Sequence, residues 1–263
     1  MWWPVWRFVV PTRKPSKAAT SIVVDAPRVF LLDEAALHPA ILQQCDIALS
    51  ASERHRLASL GSDVRRAQFL STRYALRQCL ALCHPGTHWQ DWVLESRQNH
   101  PPAVQRYPVS TESHLSLSLS HSETLIAVGV SPTQIGVDIE LHRKTRPWPE
   151  MLALISSAEE RQRVADQSAP QYEAEFYRVW TLKEAYFKRM GSGLDWSQIR
   201  SITSREFMDP AVPCKAFALT WEGLHERTRY TMTASTNTPN EMPALTVLSD
   251  LAMPMTMRRW LYV

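Results

Sequence analysis

At 263 residues the chain has room for one large domain or two of roughly 100–130 residues, with enough bulk to bury a core unaided. Hydrophobic residues at 44% and charged residues at 21% are ordinary for a folded globular protein. A formal net charge of only +3 excludes a strongly basic nucleic-acid footprint, yet suits an anionic ligand or an acidic partner.

The chain begins MWWPVWRFVVPTRKPSK, an apolar stretch of about ten residues interrupted by Pro4 and Arg7. That is too short for a membrane span, and it lacks the charged start and cleavage site of a secretion signal. The expectation is a cytoplasmic protein with no membrane partner. Residues 1–20, rich in Pro, Lys and Trp, read as an irregular arm. Residues 21–31 read as a strand broken by Pro27, and Ser52 to Leu60 as a short helix. A longer helix follows, with Asp63 as its expected N-cap. Val64, Ala67, Leu70, Tyr74 and Cys83 recur near helical spacing, and Pro85-Gly86 ends the run. Arg66, Arg73 and Arg77 share one face of it, which for an arbitrary helix is simply a solvated basic stripe. Cys45, Cys79, Cys83 and Cys214 form no CxxC pair and complete no zinc pattern, so they read as reduced, buried thiols.

The period then changes. Leu115, Leu117 and Leu119 alternate with Ser116, Ser118 and Ser120; Ser122 to Thr124 can turn the chain, and Ile126, Val128 and Val130 return. Ile135, Val137 and Ile139 form a third alternating run, whose other face carries Gly136, Asp138 and Glu140. A helical stretch follows, in which Ser157-x-x-Glu160 fits a capping box. Residues 173–190 hold Phe176, Trp180, Leu182 and Phe187 without Pro or Gly, and Gly191-Ser192-Gly193 stops them. Residues 216–220 and 229–234 read as closing strands. Helix-then-hairpin thus occurs twice, without obvious sequence repetition. The expected fold is α+β: two similar halves in one chain, 1–133 and 134–263, packed with the active site in the cleft between them.

Three features carry chemistry. Asp138 and Glu140 lie two apart on a strand, so both carboxylates leave the same face. Side-by-side carboxylates repel unless a cation lies between them, and hard oxygen ligands favour Mg²⁺; taken alone, the pair equally describes a strand end with two solvated acids. Glu184 and Lys188 sit one helical turn apart. On an exposed helix they would be a minor surface pair, but this helix is largely apolar, and a buried pair needs a reason. Ser120-His121 at a strand end can donate to a phosphate, although a lone histidine is more often structural.

Together these elements resemble the paired signatures of the 4′-phosphopantetheinyl transferases, in the Sfp-type single-chain branch. The resemblance rests on Gly136-Val-Asp138-Ile-Glu140 and Trp180-Thr-Leu-Lys183-Glu184-Ala-Tyr-Phe-Lys188, with Leu119-Ser120-His121-Ser122 upstream. Arg66-Ala-Gln-Phe-Leu-Ser-Thr-Arg73-Tyr-Ala-Leu-Arg77 is similar to the family's basic helix, and Gly191-Ser-Gly193-Leu194 to the turn after its Lys-Glu helix. The elements run in order from about residue 50 to 200.

The resemblance implies transfer of the phosphopantetheine arm of coenzyme A to a serine of an apo acyl or peptidyl carrier protein, by a monomer. It implies Asp138, Glu140 and Glu184 as Mg²⁺ ligands, with Glu184, directly or through water, as the base. Ser120 and His121 would contact coenzyme A phosphates, and Lys188 the pyrophosphate and departing 3′,5′-ADP. Arg73 would bind the 3′-phosphate, and Lys183 would add positive charge nearby. The chain departs from the pattern in having Leu117-Ser118 where Phe and Asn are usual. It also has Asn99-His100-Pro101 for Gly-Lys-Pro, which puts His100 in place of a phosphate-contacting lysine. Ile155 stands where the family has Phe, with Glu159 in the acidic position that follows. The alternative readings are an idle paralogue that binds carrier protein or coenzyme A, and an Mg²⁺-dependent nucleotide hydrolase.

Overall fold

The computed structural model describes residues 24–37, 39–98, 100–108, 114–143, 147–207, 214–237, 239, 241–249 and 251–263. The arm expected over 1–20 lies outside the described residues.

The first half opens with strand β1 (Arg28–Asp33), which starts directly after Pro27. Helices α1 (Pro39–Ala48), α2 (Ala51–Ala58) and α3 (Asp63–Cys83) follow. The side chain that caps α3 belongs to Ser62, whose hydroxyl accepts the Arg65 N–H; Asp63, expected to cap, is the first helical residue. A small hairpin, β2 (Val93–Glu95) and β3 (Ala103–Arg106), leads to β4 (Ser116–Ser122) and β5 (Leu125–Ser131). The second half has β6 (Gly136–Leu141), helices α4 (Trp148–Ile155), α5 (Ala158–Ala165) and α6 (Ala169–Met190), and strands β7 (Ser204–Glu206), β8 (Ala216–His225) and β9 (Thr228–Thr236). The chain closes with β10 (Ala244–Val247) and β11 (Thr256–Tyr262).

Two larger sheets result, ordered β10-β1-β5-β4 and β6-β9-β8-β11-β7. β10 pairs parallel to β1 in the first sheet, and β11 then runs between β8 and β7 in the second. The C-terminal segment therefore serves both sheets, and a clean division at residue 133 does not describe the strand pairing. Likewise β6, which in sequence reads as a third strand after the β4–β5 hairpin, pairs with β9 of the other sheet.

The layers follow from strand alternation. One face of the first sheet (Phe30, Leu32, Ile126, Val128) packs on Ala75, Leu76, Cys79 and Leu80 of α3. Its other face (Val29, Leu31, Leu125, Ala127) meets Val137, Ile139, Leu219 and Met232 of the second sheet. The outer face of the second sheet is covered by α6 through Phe176, Val179 and Leu182. β5 is consequently buried at every position.

The capping box at Ser157 forms as the sequence predicts: Ser157 accepts the Glu160 N–H, and Glu160 accepts the Ser157 N–H. Ser50 and Glu53 make the same box at α2. The flanking sequences match as well. Ser50-Ala-Ser-Glu53-Arg-His-Arg-Leu-Ala58 and Ser157-Ala-Glu-Glu160-Arg-Gln-Arg-Val-Ala165 share Ser, Ala, Glu, both Arg and the final Ala. An internal repeat does exist, and its short length hides it in the chain. In each copy the buried glutamate pairs with a buried cation on the following long helix, Arg77 for Glu53 and Lys183 for Glu160.

Candidate active site

The site lies where β4 of the first sheet meets β6 of the second, beneath α6. Asp138 is almost fully buried at 4% exposure. Its Oδ1 accepts from Lys188 Nζ at 2.7 Å and from Ser120 Oγ at 2.8 Å, and Lys188 Nζ also donates to Ser120 Oγ at 3.0 Å. Ser122 Oγ donates to Glu140 Oε2 at 3.2 Å. The structure thus brings Ser120 of β4 against Asp138 of β6 and Lys188 of α6, with Ser122 on Glu140 and with Glu184 in electrostatic reach of Asp138, Lys188 and Glu140.

The approach of α6 depends on Gly136. A Cβ there would lie 2.0 Å from the Ala185 carbonyl oxygen and 2.4 Å from the Arg189 amide nitrogen, so only glycine lets the helix backbone come this close. Glu184 and Lys188, one turn apart and flanking that contact, are set down beside Asp138. The helix stops at Gly191, whose φ of 70° is the left-handed cap conformation.

The electrostatics are those of crowded carboxylates. The Glu184 carboxyl is raised to about 7, first by burial and then by Asp138 and Glu140, with Lys188 opposing. For Lys188, burial disfavours the charge, but Asp138, Glu184 and Glu140 outweigh it and hold the ammonium above its ordinary range. The second Asp138 oxygen, Oδ2, is buried with no hydrogen-bond partner among the described residues. A buried carboxylate oxygen left bare is costly, and a cation would satisfy it. The donors suit Mg²⁺, being hard oxygens with one unsatisfied and a neighbouring acid whose charge is suppressed by burial and by repulsion. Among the described residues, no three acidic, His or Cys groups already converge as a finished coordination set.

Not every residue read from the sequence joins this cluster. Lys183 does not. Five residues from Lys188, it faces the core, is 0% exposed, pairs with Glu160 at 2.7 Å and donates to the carbonyls of Ile199 and Ile202. The expectation that it adds charge near a ligand is corrected: a helix turns through most of one and a half revolutions over five residues, so the two lysines occupy different faces. Arg77 is equally enclosed by Glu53 and the Trp92 carbonyl. Arg73 lies against Glu53, with Nε 3.4 Å from Oε1, donates to Ser96 Oγ at 3.2 Å, and sits over the Phe69 ring. Only Arg66 of the basic face is well exposed, so the stripe is mostly internal. His121, the next position on β4, takes the opposite side of the strand from Ser120 and is exposed.

Ser96, which Arg73 reaches, is flanked by Glu95 and Arg97. These two line a cleft of about 280 Å³ together with His100, Pro101, Ala103 and Gly191. His100 therefore lies across from the end of α6. Arg97, which the sequence did not single out, is the exposed cation of this cleft, paired with Glu95 at 2.9 Å. Glu159, in the family's acidic position, pairs at the surface with Arg205. No described helix is long and apolar enough to cross a membrane.

Comparison with known proteins adds to this geometry. A family model described as the 4′-phosphopantetheinyl transferase superfamily matches residues 134–235. The chain is 31% identical over 114 residues to 4′-phosphopantetheinyl transferase psf-1 of Bacillus pumilus, covering 43% of this chain and 45% of that one. It is 32% identical over 157 residues to 4′-phosphopantetheinyl transferase HetI of a Nostoc species, covering 58% and 64%. It is 30% identical over 149 residues to 4′-phosphopantetheinyl transferase AcpT of Salmonella typhimurium, covering 56% and 70%. The match thus spans less than two thirds of the first two relatives' lengths and somewhat more of the third.

Proposed function

This chain belongs to the 4′-phosphopantetheinyl transferase superfamily, and we propose that it transfers the phosphopantetheine arm of coenzyme A to a serine of an apo acyl or peptidyl carrier protein in the presence of Mg²⁺. The observation that carries this reading is the Asp138 carboxylate: tied by Oδ1 to Ser120 and Lys188, bare at Oδ2, and buried between the two halves.

In the proposed reaction the carrier serine oxygen attacks the pyrophosphate phosphorus that bears the pantetheine arm. The bond from that phosphorus to the bridging oxygen breaks, and 3′,5′-ADP departs. The nucleophile comes from the carrier, so the enzyme must position groups and neutralise charge. Asp138, Glu140 and Glu184 would hold Mg²⁺, which when bound supplies charge neutralisation at the pyrophosphate. Glu184, held ionised when Mg²⁺ is bound, would take the serine proton directly or through a water. The Lys188 ammonium, kept charged by its acidic neighbours, would offset the charge on the departing oxygen. Ser120 and His121 would contact phosphate oxygens. Arg73 would serve the 3′-phosphate, a role that requires exchanging part of its contact with Glu53 for the ligand. His100 in the adjoining cleft would stand in for the family's lysine. Ser120 and Asp138 come from one chain, which supports a monomeric site.

The test is incubation of the protein with coenzyme A, Mg²⁺ and a panel of apo carrier proteins, read by intact mass. A gain of one phosphopantetheine arm is expected with wild type and none with Asp138→Asn, whose melting temperature should remain close to wild type. Binding of coenzyme A or carrier without transfer would replace this reading with a binding paralogue. Cleavage of coenzyme A without a carrier would replace it with a hydrolase.

A further inference from the structure

Strand β4 carries a serine at every second position: 116, 118, 120 and 122. β4 and β6 are outermost strands of their two sheets and lie in contact, yet the two are not paired as a backbone ladder. Hydroxyls take the place of carbonyls there. Ser116 Oγ accepts the Ile135 N–H at 3.3 Å, Ser118 Oγ the Val137 N–H at 2.9 Å, and Ser122 Oγ the Leu141 N–H at 3.0 Å. The spacing is 19 residues each time. A second set of bonds runs at a spacing of 18, from Ser120 to Asp138 and from Ser122 to Glu140. Each acid of β6 therefore receives the proton of one hydroxyl of β4.

Ser122 is the residue that belongs to both sets. A hydroxyl has one proton and two lone pairs. With a lone pair held by the Leu141 N–H, its proton is directed to Glu140 Oε2, and the residue is 7% exposed. We infer that Ser122 is a positioning residue: anchored on the β6 backbone, it sets the Glu140 carboxylate in register with Asp138, so that the first half of the chain orients an acid of the second. Resting on the metal reading above, this adds that Glu140's orientation is imposed across the seam between the sheets. Ser118 supplies the control, since it accepts the Val137 N–H in the same seam with no acid among its hydrogen-bond partners in the described residues.

The test compares Ser122→Ala, Ser122→Thr and Ser118→Ala with wild type, by calorimetric titration of Mg²⁺ into the protein without carrier and by thermal melting. Loss of a hydrogen bond that orients a metal ligand typically costs 10-fold or more in metal affinity. Ser122→Ala should therefore weaken Mg²⁺ by roughly 10-fold relative to Ser118→Ala at a similar loss of melting temperature, and Ser122→Thr should recover most of it. Equal Mg²⁺ affinities for Ser122→Ala and Ser118→Ala would overturn the positioning role and leave the metal reading standing. A wild-type protein that binds no Mg²⁺, with or without coenzyme A, would overturn both.

Discussion

At the candidate metal site the fold resists ionisation of the Glu184 carboxyl. Burial, then Asp138 and Glu140, raise its carboxyl to about 7, against an ordinary value of 4.5. Raising an acid's pKa on folding means that the native state holds the proton more tightly than the unfolded chain does. The resulting stabilisation is fully present below about 4.5 and is lost as pH rises through about 7. The metal-free protein should therefore lose melting temperature across that window, and Glu184→Gln, which carries no titrating group, should flatten that part of the profile. Thermal melts of both proteins at stepped pH, in chelator, measure it directly. An equally steep fall in Glu184→Gln would assign the effect to other groups. Added Mg²⁺ should oppose the fall in wild type, because cation binding favours the ionised carboxylate.

The contact of α6 with β6 is the element on which the site depends, and Gly136 is its narrowest point. An added methyl would meet two backbone atoms, the Ala185 oxygen and the Arg189 nitrogen, neither of which can rotate away. Gly129 is a useful contrast. The three atoms nearest a Cβ there would all belong to side chains, Val137 Cγ1 at 2.9 Å and two Ile135 atoms. Gly136→Ala should cost about 1–3 kcal/mol or more in stability as overpacking. It should also lower transfer well beyond any effect of Gly129→Ala, because displacing α6 moves Glu184 and Lys188 off Asp138. Chemical denaturation and steady-state rates on the two variants separate these outcomes; comparable rates would mean that α6 can shift without disturbing the acids.

At the scale of the molecule, the two sheets are held by a shared core, a serine seam and a C-terminal segment that visits both. Residues 24–133 produced alone would lack β10 and expose Val29, Leu31, Leu125 and Ala127 on one face of the remaining sheet. Side chains of this kind contribute about 1.5–3 kcal/mol each when fully buried, except alanine, which contributes less. The fragment should show no cooperative urea transition by circular dichroism, whereas the full chain should. A sharp transition in the fragment would make the first half an independent unit with a boundary at 133.

The chain's own order of residues determined much of this protein. Strand alternation over 115–139 and the spacing of Asp138, Glu140, Glu184 and Lys188 are local properties, and a strand's period of two and a helix's of 3.6 convert them directly into shared faces. The capping box at Ser157 was legible for the same reason. The Ser50–Ala58 repeat was equally present in the letters, but its match is confined to one short helix, and its meaning emerges only when Glu53 and Glu160 are each seen against a buried cation. Tertiary structure alone decided which charged residues are structural. Lys183 and Lys188 belong to one motif, yet only the placement of α5 and of the 199–202 turn makes the first an internal counter-ion. Burial likewise turned Arg73 and Arg77 from a solvated stripe into partners of Glu53, a residue 20 or more positions away. The alternating serines announced a strand, but their targets lie on a strand of another sheet. No period within β4 specifies which edge it will face; that depends on how the two sheets bury Val29, Leu31, Val137 and Ile139 against one another.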